Sequence, residues 1–309
     1  MIRSDIEGFA EEYERENAGP SEGEGVVKIG IRLSEHQGNW PTVRALALQA
    51  DQAGFDSIWI SDHLLAMPDN SKPILEGWTL LSVVGSLTET AEVGMVLNQG
   101  FRAPGLLAKM TTALDIITDG RLRMILGAGY HEPEYTAFGY PFPPVGERME
   151  LLEEAIQVLR GLWSTGSDPF SFKGIHVNIQ DAINLPPPNR RIEFAVGGGG
   201  PRVMKIAARY ADQWSCPSNR MDECRALAAR MDDLSASEGR SVRRMVSMAF
   251  RLGTGDALGP SELGGSEDQI VARLGELAEL GFTEVNAGVK DMRTLDQVAA
   301  MLPTLRSVT

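Results

Sequence analysis

Eight times along this chain a short apolar run gives way to a helical pattern, and that alternation constrains the fold more than any other feature. The stretches Val27 to Leu33, Asp56 to Ile60, Val93 to Asn98 and Leu122 to Leu126 read as strands. So do Ile192 to Val196, Asp212 to Cys216, Met245 to Leu252 and Phe282 to Ala287. The helices that follow them are read at Pro41 to Ala53, Trp78 to Thr88, Pro104 to Thr118 and Glu147 to Trp163. The remaining four are Pro201 to Tyr210, Met221 to Ser237, Glu267 to Leu280 and Leu295 to Leu305. In the fourth helix Leu151, Leu152, Ala155, Ile156, Val158, Leu159 and Leu162 form one apolar stripe. The strands are mostly apolar on both faces, which fits a parallel sheet covered by helices. Eight such units in about 280 residues predict an α/β fold closed into a (β/α)8 TIM barrel, not an open sheet.

Two segments break the rhythm. From Ser164 to Asn189, Phe170 to His176 reads as a hairpin arm, an insertion between the fourth helix and the fifth strand. A loop of this length is expected to serve as a lid or an interface element. Residues 1–25 carry eight acids against Arg3 and Arg15. They read as an acidic extension, either mobile or forming a small docking helix through Ile6, Phe9 and Tyr13. Residues 26–309 are read as one barrel domain.

The formal charge of -13 argues against nucleic acid and anionic membranes as partners, because both reward basic surfaces. No apolar run approaches the ~18 residues of a membrane span, and no leader pattern is visible at the N-terminus. Cys216 and Cys224 have no metal-ligand spacing and imply no disulfide framework, so a reducing cytoplasm is the expectation.

In a (β/α)8 barrel the chemistry sits at the C-terminal ends of the strands. The second strand ends at Ser61-Asp62-His63, the third at Asn98-Gln99 and the fourth at Gly127-Ala128-Gly129-Tyr130-His131-Glu132. The fifth ends at Gly197-Gly198-Gly199-Gly200-Pro201 and the sixth at Ser215-Cys216. Four glycines before a proline-led helix are what a phosphate cradle needs, since backbone N–H groups approach the anion and the helix dipole favours it. The bland reading is a tight strand-to-helix turn; the dinucleotide and Walker spacings are absent. His63 is the leading proton-transfer candidate, because histidine changes charge near neutrality. The competing reading has Asp62 capping the next loop and His63 packing beneath it. His36 is placed at the mouth, His131 on the surface and His176 in the arm. Gly127 and Gly129 offer a second close backbone approach or a turn at the rim. Glu132 and Glu134 are carboxylate-catalyst candidates, against the reading that loop carboxylates are mostly solvated; Cys216 reads as a small apolar residue, and no metal site is expected.

Taken together, these residues resemble the luciferase-like monooxygenase superfamily, most closely its branch using the deazaflavin coenzyme F420. The resemblance rests on Ala53-Gly54-Phe55-Asp56-Ser57-Ile58-Trp59-Ile60-Ser61-Asp62-His63, Asp119-Gly120-Arg121-Leu122 and Leu126-Gly127-Ala128-Gly129-Tyr130. It continues in Phe138-Gly139-Tyr140-Pro141-Phe142-Pro143-Pro144, Gly146-Glu147-Arg148, Asn184-Leu185-Pro186-Pro187-Pro188 and Val196-Gly197-Gly198-Gly199-Gly200-Pro201-Arg202-Val203. It implies an F420-dependent hydride transfer to or from a small organic substrate, with an FMN-dependent monooxygenase and a non-catalytic binding relative as alternatives. It implies Asp62 and His63 at the deazaflavin ring, and Val96 and Leu97, followed by Asn98, at a strand bulge with a non-proline cis peptide. It further implies Gly127, Gly129, Tyr130, Gly198, Gly199 and Gly200 around ring and phosphate, and a homodimer. The chain departs from the pattern at Ile31 to His36, at Tyr130, where many relatives carry Trp, and in its acidic extension.

Overall fold

The computed structural model describes residues 27–252 and 257–307; the acidic extension lies outside them. The strands, in chain order, are β1 (Lys28–Arg32), β2 (Ser57–Ser61), β3 (Glu92–Asn98), β4 (Leu122–Gly127), β5 (Phe170–Lys173) and β6 (Asn178–Ala182). They continue with β7 (Phe194–Gly197), β8 (Gln213–Cys216), β9 (Arg243–Leu252), β10 (Glu262–Gly265) and β11 (Phe282–Gly288). The main sheet runs β9-β11-β1-β2-β3-β4-β7-β8, and a β8–β9 pairing closes the ring. The result is the expected eight-stranded parallel barrel with helices between its strands. β10 adds to β9 outside the ring, in parallel. β5 and β6 pair only with each other, antiparallel, where the sequence reads as an arm.

Local chemistry sets the boundaries. Asn39 caps the helix Trp40–Ala53 by accepting the Thr42 N–H at 3.2 Å, Pro41 occupies its first turn, and Gly54 ends it at φ 83°. Glu76 accepts the N–H groups of Trp78 and Thr79 at 2.9 and 2.7 Å to start Gly77–Leu87. Ser266 and Gln269 form a reciprocal capping box at Glu267–Glu279. The sequence reading runs one helix from Met221 to Ser237, but its first turn is 3-10, over Ser218–Glu223, with the α-helix over Cys224–Ser237. β10 and the six-residue helix Glu132–Ala137 were not anticipated.

By density of contacts the described residues group into two compact units. One holds Leu97–Leu122 and Leu126–Glu193; the other holds residues 27–96, Arg123–Ile125 and 194–307. In the first unit, Glu154 is buried in the long helix Val145–Ser164 and accepts the N–H groups of Ile175, His176 and Val177 at 2.6, 3.0 and 2.8 Å. One carboxylate thereby pins the β5–β6 turn. Asn184 donates to Thr112 and to the Leu162 carbonyl, both at 2.9 Å, anchoring the chain that leaves the hairpin.

In the second unit the residues that begin the strands meet in a polar layer. Arg123 is 5% exposed and reaches Glu92 at 2.8 Å, Glu284 at 3.5 Å and the Gln213 amide oxygen. Ser57 donates to Glu284 at 3.2 Å and accepts the Trp59 indole N–H at 2.8 Å. Trp59, Ile125, Ala195 and Met245 pack as an apolar cluster, with Val96 against it. Trp59 and Ile125 lie two residues beyond Ser57 and Arg123, so strand alternation puts them on the same inward face. Replacing Arg123 with Leu removes the shared cation from two carboxylates, one of them fully buried. Urea unfolding is expected to show a loss of about 3 kcal/mol; a variant as stable as the wild type would dismiss the layer as an anchor.

Candidate functional site

Asp62 and His63 follow directly on the C-terminal end of β2. Asp62 is 2% exposed, His63 is half-buried, and the Asp62 N–H donates to the Val96 carbonyl at 2.9 Å. The preceding residue, Ser61, is gripped by the fully buried Gln37. The Gln37 amide oxygen accepts the Ser61 N–H at 3.1 Å and its NH₂ donates to the Ser61 carbonyl at 2.9 Å. Ser34 and Ser61 share a hydrogen bond through their hydroxyls.

The glycine turn follows β7 in the same unit. Gly198 has φ 134°, a region costly for any residue with a Cβ, and a Cβ there would stand 2.9 Å from Val203. Its N–H donates to the Ser215 carbonyl at 3.2 Å, and its carbonyl accepts the Trp214 indole N–H at 2.8 Å. The Gly199 carbonyl accepts a guanidinium N–H of Arg220 at 2.7 Å; a Cβ on Gly199 would come within 2.8 Å of that nitrogen. Gly200 stands at the N-cap of helix Pro201–Tyr210 and has no side chain to cap it. Two carbonyls are therefore turned onto Trp214 and Arg220, at the start of a helix whose leading N–H groups and dipole favour an anion. Arg220 also holds Glu223 through a bidentate ion pair.

Leu97, Asn98, Gly127, Gly129 and Tyr130 belong to the other unit. Asn98, 8% exposed, accepts the Gly100 N–H at 3.3 Å and the Tyr135 hydroxyl. Gly129, at φ 79°, is needed because a Cβ there would overlap the Tyr135 hydroxyl and approach the Asn98 amide oxygen at 2.7 Å. Its close approach is thus to packed side chains. A Cβ on Gly127 would make only an ordinary 3.5 Å contact with the Leu97 carbonyl. Tyr130 is 68% exposed. Tyr135, itself 1% exposed, packs against Phe101 in a tilted contact and Phe142 edge-on, each at 4.9 Å centroid distance. Neither it nor Gln37 nor Arg220 carries a motif that would have singled it out.

Several expectations are corrected. The cis peptides among the described residues are Met67–Pro68 and Leu185–Pro186, so Val96–Leu97 is trans. β3 pairs with β2 in unbroken register from Glu92 to Val96, and the Val96 carbonyl continues that ladder to the Asp62 N–H. Glu134 is not a solvated loop carboxylate; it sits on the helix Glu132–Ala137 with no exposed surface, because that turn folds inward with Tyr135. As expected of a small apolar residue, Cys216 is buried, as is Cys224, and a hydrogen bond with Cys224, together with burial, pushes the Cys216 thiol far up. His36 bonds the Val289 carbonyl at 2.8 Å, tying the turn after β1 to the segment after β11.

Two outcomes follow from this geometry. His176 bonds Glu150 at 2.9 Å, and that bond, with nearby Glu154 and Glu147, raises its pKa. A raised histidine pKa stabilises most below the unfolded value near 6.5 and is lost as pH climbs through the folded value. Hydrogen-exchange protection factors in the β5–β6 hairpin are therefore expected to fall as pH climbs above about 6.5, and Glu150→Gln to flatten that fall; equal profiles would dismiss the pair. Gly198→Ala is expected to cost about 1–3 kcal/mol in thermal unfolding, from strain at a positive φ. A neutral result would mean the turn re-forms around a Cβ.

The chain is 30% identical over 199 residues to an F420-dependent glucose-6-phosphate dehydrogenase from Amycolatopsis mediterranei, a match covering 63% of this chain and 59% of that protein. It is 32% identical over 206 residues to an F420-dependent hydroxymycolic acid dehydrogenase from Mycobacterium tuberculosis, covering 65% and 56%. The chain thus spans under two thirds of the length of these curated relatives. Its fold superimposes on an F420-dependent secondary alcohol dehydrogenase solved with an F420-acetone adduct, with TM-score 0.80 and 18% identity over 91% of this chain and 99% of that one. The family model for luciferase-like monooxygenases matches residues 26–258, three quarters of the chain, and the chain belongs to that family.

Proposed function

We propose that this chain is an F420-dependent oxidoreductase that moves a hydride between the deazaflavin and a small organic substrate. The observation that carries the reading is the glycine turn after β7. It opens a helix with no side-chain cap, its carbonyls are drawn off by Trp214 and Arg220, and Gly199 leaves room for the Arg220 guanidinium, which a Cβ would meet at 2.8 Å. Such a turn fits the phosphate of a phosphorylated cofactor. Both relatives named above are F420-dependent dehydrogenases, which supports the deazaflavin as that cofactor.

F420 supplies two-electron hydride chemistry when bound. The protein's share is positioning and proton handling. Gly198, Gly199 and Gly200 would hold the phosphate end, and buried Asp62 would contact the ring system. Val96, Leu97, Asn98, Gly127, Gly129 and Tyr130 are proposed as further ring and pocket residues. His63, half-buried beside Asp62, passes a proton to or from the substrate oxygen. The family's monooxygenase name supports one second reading, in which FMN replaces F420 and oxygen is consumed.

Fluorescence titration with F420 and, in parallel, FMN tests the cofactor; tight binding of F420 alone supports the reading, and preference for FMN overturns it. Oxygen uptake by the reduced, loaded enzyme is expected only of the monooxygenase. His63→Ala is expected to lower turnover about 10²-fold or more while shifting F420 affinity little. Undiminished turnover in that variant would remove His63 from the mechanism.

A further inference from the structure

We infer that Gln37 is a positioning residue for the Asp62-His63 end of β2, acting as a one-residue substitute for a strand; the inference rests on the functional reading given to His63 above. β1 and β2 pair as far as Arg32 opposite Trp59, and the Leu33 N–H adds one more bond, to the Trp59 carbonyl at 2.8 Å. The chain then leaves the sheet through the 3-10 turn Ser34–His36. From that point Ser61 has no strand beside it on the β1 side. In a parallel ladder a residue's N–H and C=O point to the same side and need one acceptor and one donor. A primary amide presents both side by side. Gln37 fills this place, with its oxygen 3.1 Å from the Ser61 nitrogen and its nitrogen 2.9 Å from the Ser61 oxygen.

On the opposite edge the Asp62 N–H reaches the Val96 carbonyl at 2.9 Å. The Ser61–Asp62 peptide is therefore held from both sides, one residue before His63. Gln37 is 1% exposed, so water does not compete for its amide. Its own backbone is fixed in turn. The Gln37 carbonyl accepts the Leu75 N–H at 3.1 Å, and His36 binds the Val289 carbonyl at 2.8 Å. Gly38 lies so close to the Pro73 carbonyl that a Cβ would overlap it at 2.2 Å. A buried position that only needed filling would be better served by Leu or Met, which leave no amide to satisfy. The amide's two targets are backbone groups next to the proposed proton donor, and that assigns its purpose.

The test uses the full chain with Gln37→Met, which keeps the length and removes both bonds, and Gln37→Glu, which keeps an acceptor for the Ser61 N–H but sets a carboxylate against its carbonyl. The chain has four histidines, so ring resonances can be followed by NMR, with His63 identified by its loss in His63→Ala. In folded Gln37→Met the His63 titration midpoint is expected to move while those of His131 and His176 stay, and F420 affinity is expected to fall because the peptide next to Asp62 is no longer held. Gln37→Glu should shift His63 in the same assay and serves alone if the Met variant does not fold. Unmoved His63 signals with wild-type F420 affinity would overturn the inference, as would equal movement of every histidine, which marks general loosening. Failure of the wild type to bind F420 would count against the functional reading instead, and the His63 titration would still decide the role of Gln37.

Discussion

The structure depends first on one buried cation. Arg123 is the second residue of β4, and from there its guanidinium serves Glu92 of β3, Gln213 of β8 and Glu284 of β11, while Ser57 of β2 and the Trp59 indole continue the chain of bonds. Burying an arginine is unfavourable unless its donors are taken up and its charge is matched. Here five strands contribute to that matching, so leaving out any one of them strands a charge in the interior. The layer therefore specifies which strands stand near one another and at what height. The apolar cluster of Trp59, Ile125, Ala195 and Met245 fills the barrel above it, and the C-terminal strand ends are relieved of core duty.

Those ends share a second principle. Once a strand leaves the ladder, its peptide groups lose their partners, and in each case a side chain from elsewhere supplies them. Gln37 serves Ser61, the Trp214 indole serves Gly198, and Arg220 serves Gly199. In the other unit Asn98 takes the Gly100 N–H and the Tyr135 hydroxyl. Loops that carry chemistry must be irregular yet held still, and bonding their backbone to buried side chains achieves this without extending the sheet. The same logic recurs at the hairpin, where a single carboxylate of Glu154 gathers three consecutive N–H groups.

The elements themselves were legible because their signals are local. Apolar runs, the Asn39 cap, Pro41, Gly54 and the Asp119-Gly120 stop lie within a few residues of what they control, and most predicted boundaries agree with the observed ones to within two residues. Of the site, the position of Asp62-His63 at a strand end and the tight glycine turn between strand and helix were readable in the same way. β10 escaped because Glu-Leu-Gly-Gly has no alternation, and it is a strand only by virtue of the β9 edge beside it. The helix at Glu132 escaped because six residues are too few to display a period.

Periodicity and turn chemistry thus dictated the eight-fold βα order, because each rests on contacts between near neighbours in the chain. Which side chain completes which backbone group was decided only on folding. Ser61 and Gln37 lie 24 residues apart, Arg220 and Gly199 lie 21 apart, and Arg123 and Glu284 lie 161 apart. No composition or spacing marks such pairs. They exist because ring closure brings strand beginnings into one layer and packs each connecting loop beside a strand end, and buried polar groups must then find partners among whatever lies in reach.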